Sequence, residues 1–113
     1  MTVLNLVLGV PWVAAQTMTV SAILQHPDQY DGKVINVVGR IAAYQERVTV
    51  GDTYATFRLE DGNSYLTVYF FGKRLGLKNG LRIRVIGTYS AFKQDGQYSF
   101  RNQVGAQGVQ VLP

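Results

Sequence analysis

Tyr54, Arg58, Tyr65 and Tyr69 fall at even spacings in two short runs, residues 54–60 and 64–71, which are separated by Asp61-Gly62. An Asp-Gly pair between alternating runs signals a tight hairpin. Successive side chains of a strand point to opposite faces. In the first run Ala55, Phe57 and Leu59 therefore share one face, and Tyr54, Thr56, Arg58 and Glu60 the other. In the second, Leu66, Val68 and Phe70 oppose Tyr65, Thr67, Tyr69 and Phe71. The aliphatic and phenyl sets suit a core. Joined by the hairpin, the opposite sets form one half-wet surface holding Tyr54, Arg58, Tyr65 and Tyr69, with Phe71 at its end. Tyrosine rings can stack on planar groups, and an arginine beside them can pair with an anion or stack in its turn. The same residues also have a plain role, because tyrosine and threonine are good strand formers and cross-strand aromatic pairs stabilise sheets.

Catalytic chemistry is poorly supplied. His26 is the only histidine, it precedes Pro27, and no partner is placed in sequence to tune it as a general base. There is no cysteine, which removes a thiolate metal site, a cysteine nucleophile and a disulfide framework. Asp28 with Asp31, and Glu60 with Asp61, read as turn residues rather than metal ligands. No glycine-rich loop leads into Lys-Ser or Lys-Thr. The expectation is a chain that is not an enzyme, with no catalytic residues, no metal and no cofactor.

The elements that position the surface follow from periodicity. Thr19 is a candidate N-cap, with Val20, Ile23 and Leu24 on one helical face, so a short helix or two helical turns is expected across 19–30. From Lys33 the period becomes two, giving a first strand to about Tyr44 and a connection over 45–52, in which Val48-Thr49-Val50 could be an edge extension and Gly51-Asp52 a turn. The runs at 54–60 and 64–71 are the second and third strands. Residues 72–80 read as a loop or a single helical turn, 81–92 as the fourth strand, Asp95-Gly96 as a hairpin turn, and 97–104 as the fifth strand. The tail could prolong that strand after a bend. Asp31-Gly32-x-x-Ile35-x-Val37-x-Gly39 is repeated as Asn79-Gly80-x-x-Ile83-x-Val85-x-Gly87. Each copy is a turn followed by a strand with glycine inside it. Interior strand glycines mark bends, and a small closed barrel needs strands that coil hard around the core.

With 113 residues, 47% of them hydrophobic, the chain can fill one small core. A net charge of +4 is compatible with an anionic partner. Asp28 is the first acid, and no lysine or arginine precedes it. Residues 3–15 are mostly apolar and close on Val13-Ala14-Ala15, which resembles an export signal with Gln16 as the new N-terminus. The missing basic residue before the apolar run departs from that pattern. The stretch is also shorter than the roughly 20 residues of a membrane span. An N-terminal arm packed on the barrel is the other reading. The expected organisation is thus a signal-like segment, 1–15, and one domain, 16–113, without a membrane span.

The series Tyr30-Asp31-Gly32-Lys33 into Ile35-x-Val37-x-Gly39-x-Ile41, then Phe57-x-Leu59-x-Asp61-Gly62, then Ile83-x-Val85-x-Gly87, resembles the OB-fold superfamily. It is most similar to the single-strand nucleic-acid-binding branch found in tRNA-anticodon and helicase-associated domains. The resemblance spans about residues 30–110 and implies an all-β, five-stranded Greek-key barrel, here with a short N-terminal helix. It also implies a binding face on strands two and three, flanked by the loops after strands one and four. Those loops hold Gln45, Glu46 and Arg47, and Lys93, Gln94 and Asp95; the fifth strand adds an outward Arg101. The haem-chaperone variant of the fold would want a histidine or tyrosine in the tail after Val104, and there is none.

The candidate nucleic-acid-binding residues are Tyr54, Arg58, Tyr65, Tyr69, Phe71, Lys93 and Arg101, with single-stranded DNA or RNA as the expected partner. Arg82 and Arg84 also point outward but lie across the barrel and rank lower. A protein partner or self-association through the same face is the competing expectation. In the export reading, the domain is periplasmic or extracellular and binds a protein, glycan or envelope component; with Met1 retained it is cytoplasmic.

Overall fold

The computed structural model describes residues 16–72 and 76–113. In chain order the elements are β1 (Thr17–Thr19), α1 (Val20–Gln25), α2 (Pro27–Tyr30), β2 (Val34–Thr49), β3 (Asp52–Asp61), β4 (Ser64–Phe71), β5 (Arg82–Asp95) and β6 (Tyr98–Val111). The sheet runs β1-β2-β3-β4-β6-β5, and β5 pairs back onto β2. The five long strands thus close into a barrel, with β4 and β6 parallel and the other long pairs antiparallel. The short β1 lies parallel to β2 over Asn36, Val37 and Val38. It makes the sheet six-stranded where five strands were expected, since three residues carry too little alternation to be seen as a strand.

The repeated segments are partners of each other. Ile35 lies opposite Gly87, Val37 opposite Val85 and Gly39 opposite Ile83. The two copies pair antiparallel about the Val37–Val85 centre, so each glycine faces the isoleucine of the other copy. Both glycines are also places of close approach. A Cβ at Gly39 would stand 2.7 Å from the Glu60 carbonyl oxygen, and one at Gly87 would collide with the Gly105 carbonyl oxygen.

The core is built from the expected inward set: Ile35, Val37, Ile41, Phe57, Leu59, Leu66, Val68, Ile83 and Val85 are all buried. α1 buries Val20 and Ile23 in that core, and the Thr19 hydroxyl caps it by accepting from Ala22 N at 3.2 Å. Of the two expected forms it is the pair of helical turns that is found: the helix stops at His26, and Pro27 starts α2 as a separate turn. The Asp31-Gly32 turn is tied to β5: Gly32 N donates to Tyr89 O at 2.8 Å, and Ala91 N donates to Asp31 Oδ1 at 2.8 Å. Tyr89 is fully buried, and its hydroxyl donates to Asn102 Oδ1 at 2.5 Å. Burial, then the charges of Asp31 and Asp28, push this phenol above its usual value near 10.

β2 and β5 run further than expected, and the prolongation through the tail that the last strand allowed is realised. β2 continues to Thr49, so most of the expected connection is ladder and a tight hairpin leads to β3. A bulge makes this possible: Ala43 takes φ 51°, the β2–β3 register shifts between Ala42 and Gln45, and Tyr44 N donates to Asn79 Oδ1 at 2.9 Å. The bulge brings the Tyr44 ring to 6.1 Å from Phe57. β6 continues to Val111, bending at Asn102 (φ 53°) and shifting register on β5 between Ile86 and Gly87. Asn36, which alternates with the inward Ile35 and Val37, is also buried, where β1 runs alongside β2. No helix among the described residues is long and apolar enough to cross a membrane.

Candidate functional site

Register places the outward residues of neighbouring strands in rows. Arg47, Tyr54 and Phe71 stand opposite one another across β2, β3 and β4. The next row is Gln45, Thr56, Tyr69 and Gly105, the last on β6. The third is Ala42, Arg58, Thr67 and Gln103. The fourth begins with Arg40, Glu60 and Tyr65. All five residues expected on the face of β3 and β4 therefore lie on it, in two groups.

In the first group, Tyr54 stacks on Tyr69 across the diagonal, with centroids 5.8 Å apart and planes 25° apart. Phe71 also packs on Tyr54, tilted, at 6.2 Å and 50°. Tyr54 and Tyr69 are half-buried, whereas Phe71 is 73% exposed, so a ring fixed on one side offers its other face to solvent. In the second group, the Arg58 guanidinium lies 4.8 Å from the centre of the Tyr65 ring. That cation–π contact holds an exposed charge in one place without neutralising it.

Lys93 and Arg101 join the face from the β5–β6 hairpin. The sequence placed Lys93 in a loop; it stands on β5 instead, opposite Phe100. Lys93 and Phe100 line one wall of a groove of about 390 Å³, with Tyr69 and Phe71 on the other and Gln103 and Gly105 between. Gly105 supplies no side chain beside Tyr69, which leaves the tyrosine edge open to the groove. Arg101 lies opposite Phe92 with its guanidinium 5.0 Å from the ring centre. It lines a second groove of about 360 Å³ with Tyr65, Thr67, Asn63 and Leu24. A smaller hollow shared by Thr67, Phe100, Arg101 and Gln103 joins the two. Together they form one furrow along β4 and β6, with aromatic surface at one end and an arginine–tyrosine pair at the other.

Sequence reasoning missed Phe100, Gln103 and Ser90 as parts of this furrow, and Phe92 as the ring against Arg101. From the buried Val104, strict alternation turns Phe100 inward. The left-handed backbone at Asn102 resets the phase, so Gln103 and Val104 are both buried and Phe100 turns to the groove. Asn102 is an asparagine, the residue type besides glycine most at ease with positive φ, and that was the one available signal. Among the described residues no group of three or more His, Asp or Glu side chains could hold a metal ion.

No family model matches the chain, and no curated protein matches it in sequence. Solved structures match it in shape. The solution structure of the OB domain of Ta0387 from Thermoplasma acidophilum aligns over 85% of this chain and 86% of its own length, with a TM-score of 0.53 at 16% identity. This chain has the OB fold. Larger proteins contain similar OB barrels. The crystal structure of yeast Stn1 and Ten1 aligns over 90% of this chain with a TM-score of 0.66 at 12% identity. A putative aspartyl-tRNA synthetase from Leishmania major Friedlin aligns over 96%, with a TM-score of 0.65 at 12% identity. This OB domain spans 65% of the matched Stn1–Ten1 chain and 23% of the synthetase. At such identities the likeness is one of fold, and an OB barrel hosts many functions.

Proposed function

We propose that this OB domain is a non-catalytic module that binds single-stranded nucleic acid along the furrow of β3, β4 and β6. The observation that carries the reading is the stacked Tyr54–Tyr69 pair beside an open groove whose far wall holds Lys93. Unpaired bases stack on aromatic faces for about 1–3 kcal/mol each, whatever their identity. Phe71 and Tyr69 supply that surface, while Lys93, Arg58 and Arg101 supply cations for the phosphates at both ends. Gln103 and Ser90 offer hydrogen-bonding groups within the groove. The shared barrel adds support at the level of fold, since one matched protein is named for aminoacylating a tRNA. Fluorescence titration with short single-stranded DNA and RNA, at low and at raised salt, tests the reading. Binding that weakens with salt is expected; no binding at low salt overturns it.

A protein partner is the second reading, favoured by three exposed rings: Phe71, Phe92 (49% exposed) and Tyr98 (63%). Phe92 and Tyr98 stand on the projecting β5–β6 hairpin. Sedimentation of the purified domain across a concentration series detects self-association through these rings.

Residues 1–15 lie outside the described residues. Their service as an export signal, with a domain over 16–113 and a periplasmic or extracellular site of action, is proposed on sequence alone. Mass spectrometry of the native N-terminus tests it: a chain starting at Gln16 supports export, and an intact Met1 in a soluble cytoplasmic fraction supports the nucleic-acid reading.

A further inference from the structure

Arg40 and Arg82 face each other directly across the β2–β5 ladder, and Arg84 follows Arg82 on the same outward side, opposite Val38. Like charges placed directly opposite on a sheet are destabilising. The hydrogen bonds of the arginines do not offset this placement. Arg40 Nη1 donates to Gly80 O at 3.0 Å, and Arg84 Nη1 donates to Gln110 Oε1 at 2.9 Å, both neutral acceptors. The Arg84 Nε is buried and has no hydrogen-bond partner among the described residues. Glu60 lies opposite Arg40 on the other side of β2, and Glu60 and Asp61 share with Arg40 and Arg82 a groove of about 240 Å³. Even so, no ion pair joins these groups among the described residues. Gly39 also lines this groove, with its side-chain position closed by the Glu60 carbonyl oxygen and the Leu59 side chain, so the arginines flank the groove rather than fill it.

The cluster is linked to the aromatic face by register. Tyr65, Glu60, Arg40 and Arg82 are successive direct neighbours around the barrel. With strands about 4.8 Å apart, Tyr65 and Arg40 are separated by about 10 Å along the surface. Arg82 and Arg84 are about 6.8 Å apart along β5. Three guanidiniums at such spacings match a flexible polyanion with regularly spaced charges better than one compact anion. Arginine forks also suit phosphate oxygens geometrically.

We infer that Arg40, Arg82 and Arg84 form a second anion-binding track, which takes the sugar-phosphate backbone of a single strand after it leaves the aromatic face at Tyr65. The track rests on the binding face proposed above. It adds no base recognition and acts only on strands long enough to leave the furrow.

Length dependence tests it. Fluorescence anisotropy is measured with single-stranded DNA of about 6 and about 18 nucleotides, one near the short end of OB-fold site sizes and one beyond their long end. The protein is compared with the double variant Arg40→Gln/Arg82→Gln and with Arg84→Gln alone. The double variant is expected to bind the long strand at least about tenfold more weakly and to lose about 1.4 from the salt slope, two cations' worth of counterion release. Binding of the short strand stays within twofold. Arg84→Gln is expected to give a smaller loss of the same kind, and it serves if the double variant does not fold. Equal loss at both lengths, or no loss for the long strand, overturns the track while leaving the aromatic face standing. Absence of binding by the unmodified protein at either length overturns the face, and the track with it.

Discussion

Gly39 faces Ile83 across the β2–β5 ladder, and the repeat places Gly87 opposite Ile35 in the mirrored position. Each glycine is where another strand crosses closest: β3 at Gly39 and β6 at Gly87. A side chain there pushes on backbone, which cannot turn aside as a flexible side chain can. Gly39→Val and Gly87→Val are expected to destabilise the barrel by about 1–3 kcal/mol or more. That lowers Tm by about 4–8 °C per kcal/mol. Gly87→Ala is expected to cost more than Gly39→Ala, since it meets backbone atoms of both Gly105 and Ala106. Thermal melts check both, and a neutral Gly39→Val contradicts the close crossing.

Tyr69 stands at the centre of the proposed face, stacked on Tyr54 and open to the groove. Tyr69→Ala is expected to weaken single-strand binding by about 1–3 kcal/mol, the worth of one stacked base. The core is untouched, because Tyr69 packs outside Val68 and Phe70. Tyr54→Ala removes the support of both Tyr69 and Phe71, so its effect on affinity is expected to equal or exceed that of Tyr69→Ala. Titration together with circular dichroism separates lost binding from lost fold.

Arg58 and Lys93 carry charge at opposite ends of the furrow. Arg58→Ala or Lys93→Ala is expected to lower affinity and to make the salt slope shallower by about 0.7 each. Phe71→Ala, by contrast, is expected to lower affinity at every salt concentration with an unchanged slope. The comparison across salt checks the assignment of roles.

Tyr89 couples pH to stability. Its phenol is pushed up by burial first, and then by Asp31 and Asp28, so it ionises less readily in the folded chain than in the unfolded one. This contribution is complete below the unfolded value near 10 and is lost as pH rises through the folded value. Tyr44 acts in the same sense, through burial and its hydrogen bond to Glu46. Tm is expected to be insensitive to these groups through neutral pH and to fall above about pH 10. Tyr89→Phe is expected to cost about 1 kcal/mol at pH 7, from the lost bond to Asn102. It is also expected to flatten the alkaline fall, as melts between pH 7 and 11 would show.

Alternation alone determined which side chains of β3 and β4 face inward and which outward, because a strand's period of two is a local property of the backbone. For the same reason the glycine repeat, the Asp61-Gly62 hairpin and the inward set from Ile35 to Leu66 were readable from the chain. The tertiary structure alone decided what those faces meet. Closure of β5 onto β2 sets one copy of the repeat against the other, and parallel pairing of β4 with β6 lays Gln103 and Gly105 beside Thr67 and Tyr69. Both pairings join residues far apart in sequence, where nothing local fixes the register. The bulge at Ala43 and the bend at Asn102 are of the same kind: non-glycine residues held at positive φ by the partners around them. Each resets the alternation of its own strand, and the one at Asn102 turns Phe100 toward the furrow, because such a backbone conformation at one residue is sustained by the packing of the whole barrel.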